Sequence, residues 1–157
     1  MKYSKMDYVR RVSNATPVQL VVINYELTLE FIRDAKQNIL DNDKDKFYKN
    51  ISKAQDAMHE LMSGLDMSHA ISLELLSIYL FVNKLLAQAG ASRKTEHLDN
   101  ADSILSKLLN SWLEIEKNEL DKAPLLENSH QVYAGLTYGR QGLNEYIMED
   151  TGRGFKA

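Results

Sequence analysis

Apolar side chains recur at three- and four-residue spacing from Leu20 through Trp112, and the breaks in that rhythm fall at glycine and proline. Between Pro17 and Glu119 the only glycines are Gly64 and Gly90, and no further proline intervenes, so backbone punctuation coincides with expected helix ends. The first long helix has a complete start signal: Thr16 caps, Pro17 suits the first helical position, and Gln19 reaches back as a capping-box partner. It is expected to run to about Asp41. At 100° per residue, Leu20, Ile23, Leu27, Phe31 and Ala35 share one stripe, read as the core face, while Gln19, Glu26, Glu30, Arg33 and Gln37 gather in a narrow polar wedge. A further stripe of Val18, Val22, Tyr25, Leu29 and Ile32 widens the apolar arc to about 260°, where roughly 100° serves a surface helix.

After the charged linker Asp43-Lys44-Asp45-Lys46, a second helix carries Phe47, Ile51, Ala54, Met58, Leu61, Met62 and Leu65 on one face. A break at Gly64 to Ser68, with Ser68 or Asp66 as cap, leads to a third helix with core stripe Ile71, Leu75, Ile78, Val82, Leu85 and Ala89. Here too there is a surplus, because Leu73, Leu76, Leu80 and Ala87 project to the side where a bundle helix normally shows charge. Gly90 to Lys94 makes the next turn, and Leu98, Ala101, Leu105, Leu108, Leu109 and Trp112 define a fourth helix ending near Glu119. The pattern predicts an all-α, antiparallel up-down four-helix bundle over residues 16–119. A mobile amino-terminal arm over 1–15 precedes it. A partly ordered carboxy-terminal tail over 120–157, with room for a short fifth helix, follows.

Five of the seven glycines and Pro124 lie in that tail. Val132-Tyr133-Ala134, Leu136, Tyr138, Leu143, Tyr146, Ile147 and Met148 give it anchors, yet Gly135, Gly139 and Gly142 each weaken a helix by roughly 1 kcal/mol relative to alanine. Docking on the bundle, competition for a groove and contact with another component all remain open for this segment. In the arm, Tyr3, Met6, Tyr8, Val9 and Val12 are too sparse to form a core but suffice to cover an apolar groove and be displaced from it.

Composition narrows the function classes. The 157 residues carry 19 Lys and Arg against 22 Asp and Glu, a formal net charge of −3, which argues against a nucleic-acid partner because polyanion binding neutralises many phosphates at once. Cysteine is absent, so disulfide frameworks and cysteine nucleophiles are excluded. The longest unbroken aliphatic run, Leu20-Val21-Val22-Ile23, is far short of the roughly 20 residues that span a bilayer, and no membrane insertion is expected. Lys2, Lys5, Arg10 and Arg11 are not followed by a secretory apolar stretch, so a cytoplasmic location is expected.

Candidate chemistry is thin. A di-iron bundle needs inward Glu residues on two helices and Glu-x-x-His pairs on the others. The nearest approach is Asp56-x-x-His59, which turns away from the core stripe, and His97 has Lys94 rather than a carboxylate three residues before it. His59, His69, His97 and His130 read as solvent-facing or capping residues, and no metal or cofactor is expected. Gly139-x-x-Gly142 lacks the preceding strand of a phosphate loop, and no serine stands in a nucleophile elbow, so no enzyme activity is expected. The surplus apolar residues are therefore the informative ones. Val22, Tyr25, Leu29 and Ile32 with Leu73, Leu76 and Leu80 are read as a groove for amphipathic segments of a partner, with Tyr8 and Val12 as its cover. The competing reading is that the same stripes are closed by the arm, by the tail or by a second copy, in a self-associating structural or adaptor bundle.

Thr16-Pro17-x-Gln19-Leu20 followed by Tyr25 and Phe31, then Lys53-Ala54-Gln55, Leu61 to Leu65-Asp66, Leu75-x-x-Ile78-Tyr79-x-Phe81 and Leu109-x-x-Trp112 resemble, in order and spacing, the flagellin-specific export chaperone family, FliS. The resemblance covers about Tyr8 to Glu116. The chain departs from the family's habit at Glu26, where a small residue is usual, and at Leu80, where a polar one is. The resemblance implies a cytosolic, non-enzymatic chaperone that binds the disordered carboxy-terminal segment of flagellin and prevents its premature polymerisation. It also implies presentation of that segment to the flagellar type III export apparatus, with export gate components as further partners.

Overall fold

Thr16 opens the first long helix as the sequence predicts: its Oγ1 accepts from the Gln19 backbone at 3.2 Å while the Gln19 side chain accepts from the Thr16 N–H at 3.0 Å. The computed structural model describes residues 4–122, which form five helices and no strand. These are α1 (Lys5–Ser13), α2 (Pro17–Leu40), α3 (Lys44–Ser63), α4 (Ala70–Ser92) and α5 (Thr95–Lys122). Expectations for the tail beyond Lys122, and for His130 within it, lie outside the described residues.

Three differences from the sequence reading concern helix ends. Lys5–Ser13, read as an arm, is helical, with Ser4 as N-cap accepting from the Asp7 N–H. Neither Ser68 nor Asp66 caps α4. Asp66 instead accepts from both the N–H and the hydroxyl of Ser68 in a side-chain-closed turn, and the N-cap position falls to His69 without a side-chain bond. Gly90 lies inside α4, which stops at Arg93 in the left-handed conformation, φ 51°. The other left-handed residue is Asn42, a type that tolerates it, and Asp43 then caps α3.

Helix α2 packs on α3 and α5, and α4 packs on the same two, so α2 and α4 face each other across the middle. There, the Tyr25 and Tyr79 hydroxyls are hydrogen-bonded at 2.5 Å, with the rings edge to face at 6.1 Å. The Trp112 indole of α5 donates to the same Tyr25 hydroxyl. Around this knot lie Leu29, Ile32, Phe47, Met58, Leu61, Val82, Leu86, Leu98 and Leu105, all essentially sealed from solvent. Two further hydroxyl residues, Thr28 and Ser72, are also fully buried. Thr28 satisfies its hydroxyl by donating to the Asn24 carbonyl one turn back, at 2.8 Å.

Among the described residues, α4 is the one helix long and apolar enough to cross a membrane by length and composition. Its apolar residues are interrupted by Ser72, Glu74, Ser77, Asn83, Lys84 and Gln88, so it holds no long unbroken aliphatic run. In the bundle, its Leu75, Tyr79, Val82, Leu86 and Ala89 are core residues, the pattern of a central bundle helix.

Burial pushes the Tyr25 phenol far above its ordinary value, and the neighbouring Tyr79 adds to the effect. The folded state keeps this proton, whereas an unfolded chain releases it above about pH 10, so the unfolded state binds fewer protons there. Stability is therefore fully present below about pH 10 and is expected to fall above it, by up to about 1.4 kcal/mol per pH unit for this group. In Tyr25→Phe the alkaline decline should be shallower by one proton. At neutral pH the variant should be about 1–3 kcal/mol less stable, because Tyr79 and Trp112 lose a buried partner. Urea unfolding at a series of pH values checks both, and an unchanged alkaline slope would show that this phenol is not responsible.

Candidate functional site

Helix α1 has no fully buried residue, and its Tyr8 and Arg11 line one side of a cleft between α2 and α5. The cleft measures about 590 Å³, with an apolar floor of Ile23, Leu27, Leu29, Leu109 and Leu113. Its rim is charged, with Arg11, Glu26, Glu30, Arg33 and Asp34, and Tyr8 of α1 forms part of the wall. Arg11 ties α1 to α2 through an ion pair with Glu26 at 2.8 Å, both side chains being about 30% exposed. At the rim of the cleft, Arg33 forks onto Asp102 at 2.7 and 3.1 Å, and Lys36 reaches Asp99, which fixes α2 to α5. Partial burial raises the Asp102 carboxyl, but hydrogen bonds from Arg33 and Ser106 outweigh it and hold the group below the usual carboxylate range. The stabilisation this lends is present at neutral pH and lost as pH falls through the lowered value.

The structure does not bring the sequence-expected groove residues together. Val22, Tyr25, Leu29 and Ile32 are core residues, between 0% and 3% exposed, and only Leu29 reaches the cleft floor. The stripe read as core is the one partly open: Leu20, Leu27 and Phe31 are half-buried on the flanks of α2, with Lys53 of α3 over the Phe31 ring. The physical reason is that the centre of the buried arc runs through Val18, Val21, Tyr25, Thr28, Ile32 and Ala35, where a polar threonine and a tyrosine hydroxyl disguise it. Leu73 and Leu80 are more than half exposed, and Leu76 is half-buried against the core. They stand on α4, across the bundle from α2, so they line no common groove with α2 residues. The two cover residues, Tyr8 and Val12, are half-buried on α1, and Tyr8 lines the cleft.

A second, shallower cleft of about 430 Å³ lies between α4 and α5, lined by Ser77, Ile78, Phe81, Ile104, Lys107 and Leu108. Its walls are almost wholly apolar. The sequence reading missed Phe81 and Ile104 here, and Leu113 in the first cleft. Their signal is a bulky apolar residue one position beyond a core residue, as Phe81 precedes Val82 and Leu113 follows Trp112. Asp56 and His59 are both exposed, and among the described residues no cluster of histidine and carboxylate side chains has the arrangement to hold a metal ion.

The family model described as flagellar protein FliS matches residues 2–119, which span α1 and nearly all of α5. The chain belongs to the FliS family. It is similar to the flagellar secretion chaperone FliS of Bacillus subtilis (strain 168), 28% identical over 108 residues, which cover 69% of this chain and 81% of that protein. The residues that carry the FliS resemblance fall largely on the core: Tyr25, Leu61, Leu65, Leu75, Tyr79 and Trp112 are all buried. The two departures from the FliS habit are at the surface, Glu26 in the ion pair with α1 and Leu80 on the exposed side of α4.

Two substitutions on the expected groove should behave oppositely. Leu29→Asp should destabilise the fold by more than about 4 kcal/mol, because it places a charge in a sealed core. Leu80→Asp should change stability by no more than about 0.5 kcal/mol. Circular dichroism with urea unfolding checks both, and a stable Leu29→Asp variant would restore that residue to an accessible surface. The tie on α1 is testable separately. In a double-mutant cycle, Arg11→Ala with Glu26→Gln should give a coupling of about 0.2–1 kcal/mol and faster hydrogen exchange in α1, with α2 to α5 unaffected.

Proposed function

We propose that the protein is a cytosolic, non-enzymatic flagellar export chaperone that receives the disordered carboxy-terminal segment of flagellin in the cleft between α2 and α5. The observation that carries this reading is the pairing of an apolar floor, Ile23, Leu27, Leu29, Leu109 and Leu113, with an adjoining helix that has no buried residue. Such a cleft suits the apolar face of an amphipathic helix, and its charged rim suits the polar edges of the same helix. We take α2 to α5 as an antiparallel up-down bundle whose rigid core holds the floor in place. Family membership and the name of the Bacillus relative support a flagellar secretion chaperone; flagellin as the client is what the FliS resemblance of the sequence implies.

The mechanism is exchange. Tyr8 and Val12 shield the floor in the empty protein, and a client helix displaces α1 by offering more apolar contact over the same residues. The client's folding on the cleft withholds its polymerising segment, and release at the export gate returns α1 to its place. Energetically, covering the three partly exposed floor residues, Leu27, Leu109 and Leu113, together with about five apolar side chains of the client yields on the order of 12–24 kcal/mol gross as an upper bound. Ordering of the client and its lost free motion offset most of that, leaving a complex in the micromolar to nanomolar range.

Titration of the full chain with a flagellin carboxy-terminal peptide of about 40 residues, enough for two or three short helices, tests the reading by calorimetry. A soluble stoichiometric complex is expected. Leu113→Asp should weaken it by about 30-fold or more, since a charge would face the client's apolar side. Leu113 is 38% exposed, so the bundle should remain folded. Arg11→Ala should tighten binding by no more than about 5-fold, because the cover loses one exposed ion pair. A chain that remains a self-associated species and ignores the peptide would overturn the proposal in favour of a structural bundle.

A further inference from the structure

Helix α4 carries Ile71, Leu73, Leu80 and Phe81, each between 50% and 56% exposed, and Phe81 opens into the apolar cleft against α5. Leu73 and Leu80 share one face of α4, Phe81 lies about 90° round the helix beside the α4–α5 cleft, and Ile71 is on the far face in the first turn. All are separate from the α2–α5 cleft, and the apolar cleft with Phe81 at its edge calls for a cover. We infer that the cover is the chain's own carboxy-terminal segment, residues 132–148, which docks along the α4–α5 cleft of the same molecule.

Reach, pattern and charge all support this occupant. From Leu108 in the cleft, α5 runs a further 14 residues to Lys122, about 21 Å at helical rise. Residues 123–131 span up to about 30 Å when extended, so the chain leaving α5 reaches back to the cleft with length to spare. Val132, Leu136, Leu143 and Ile147 then follow at spacings of four, seven and four, which places them on one face of a helix. Tyr133 and Tyr146 flank that face. Three glycines, Gly135, Gly139 and Gly142, make such a helix unfavourable alone, so its formation depends on a surface to dock against. The anchors near the end of the segment are bordered by Glu145, Glu149 and Asp150, and the cleft they face is bordered by Lys107. The family match ends at residue 119, before the segment begins.

The absence of cysteine permits a direct test in the full-length protein. A nitroxide spin label is placed at Ser111→Cys, an exposed position one turn from Lys107, and amide signals are followed by NMR with the label oxidised and reduced. Signals of residues 132–148 should lose more than half their intensity in the oxidised state. Phe81→Asp, at a half-exposed position, should restore most of that intensity while helicity is unchanged. Absence of broadening across 132–148, or broadening indifferent to Phe81→Asp, overturns the proposal. A mixture of isotope-labelled chains without nitroxide and unlabelled chains with it should show no broadening. Equal broadening there would assign the cleft to the tail of a second copy and overturn docking within one molecule.

Discussion

A hydroxyl carried into an apolar interior must find a partner or oppose folding, and in this protein the partner of one tyrosine is another from the opposite helix. Tyr25 of α2 and Tyr79 of α4 meet at 2.5 Å, and Trp112 of α5 joins them. The geometry allows little latitude. Sliding or rotating α2 or α4 by one residue would part the hydroxyls and strand them in a region otherwise filled by leucine, isoleucine and valine. Apolar contacts alone tolerate such repacking; a directional bond does not. The knot therefore fixes which face of each central helix points inward, and by doing so decides which apolar residues are left outside.

That decision was only partly legible in the sequence. The capping box of Thr16 and Gln19, the single-sided stripe of α3 and most of the stripe of α5 were readable, because in those elements polarity and position agree. On α2 and α4 they do not. Thr28, Ser72, Tyr25 and Tyr79 are polar in name and buried in fact, while Ile71, Leu73, Leu80 and Phe81 are apolar and exposed. When a helix is apolar over most of its circumference, periodicity fixes the spacing of its stripes but not which one faces inward. On α2 the hydroxyls of the inner stripe bias the choice outward, whereas on α4 most of the stripe read as core, Leu75, Val82, Leu85 and Ala89, is buried. A better sequence signal was the tyrosines themselves. Two of them at mid-helix positions in different apolar segments, each with a hydroxyl to satisfy, point to a mutual bond at the centre.

The outer shell obeys a different requirement. A cover that competes with an incoming helix must be held strongly enough to hide apolar surface and weakly enough to leave. In the proposed exchange, helix α1 would meet both conditions through its half-buried Tyr8 and Val12 and its partly exposed ion pair. If closure is worth about 2 kcal/mol in total, α1 stays in place more than about 95% of the time. The apparent affinity for a client then falls by only about 30-fold. A closure several kcal/mol stronger would extinguish binding; a closure near zero would leave the cleft bare. The partially solvated Arg11–Glu26 pair belongs in this range by its nature, since screening caps what such a pair contributes.

The same reasoning separates the two clefts. The α2–α5 cleft has charged residues along its α1 and α2 edges, Ser106 and Asn110 on its α5 edge, and α1 already against it, features that suit the proposed exchange of occupants. The α4–α5 cleft is apolar, shallow and nearly unrimmed, with Lys107 as the one charged side chain in its lining. A surface of that kind offers little to discriminate among passing helices, so a tethered occupant suits it better than a diffusing one. Tethering supplies an effective concentration in the millimolar range for a short link, which makes even a weak, glycine-interrupted segment an efficient cover. The glycines then have a physical role. They disfavour a free-standing amphipathic helix, so in the proposed docking the bundle would have to supply the support that the segment's own sequence lacks.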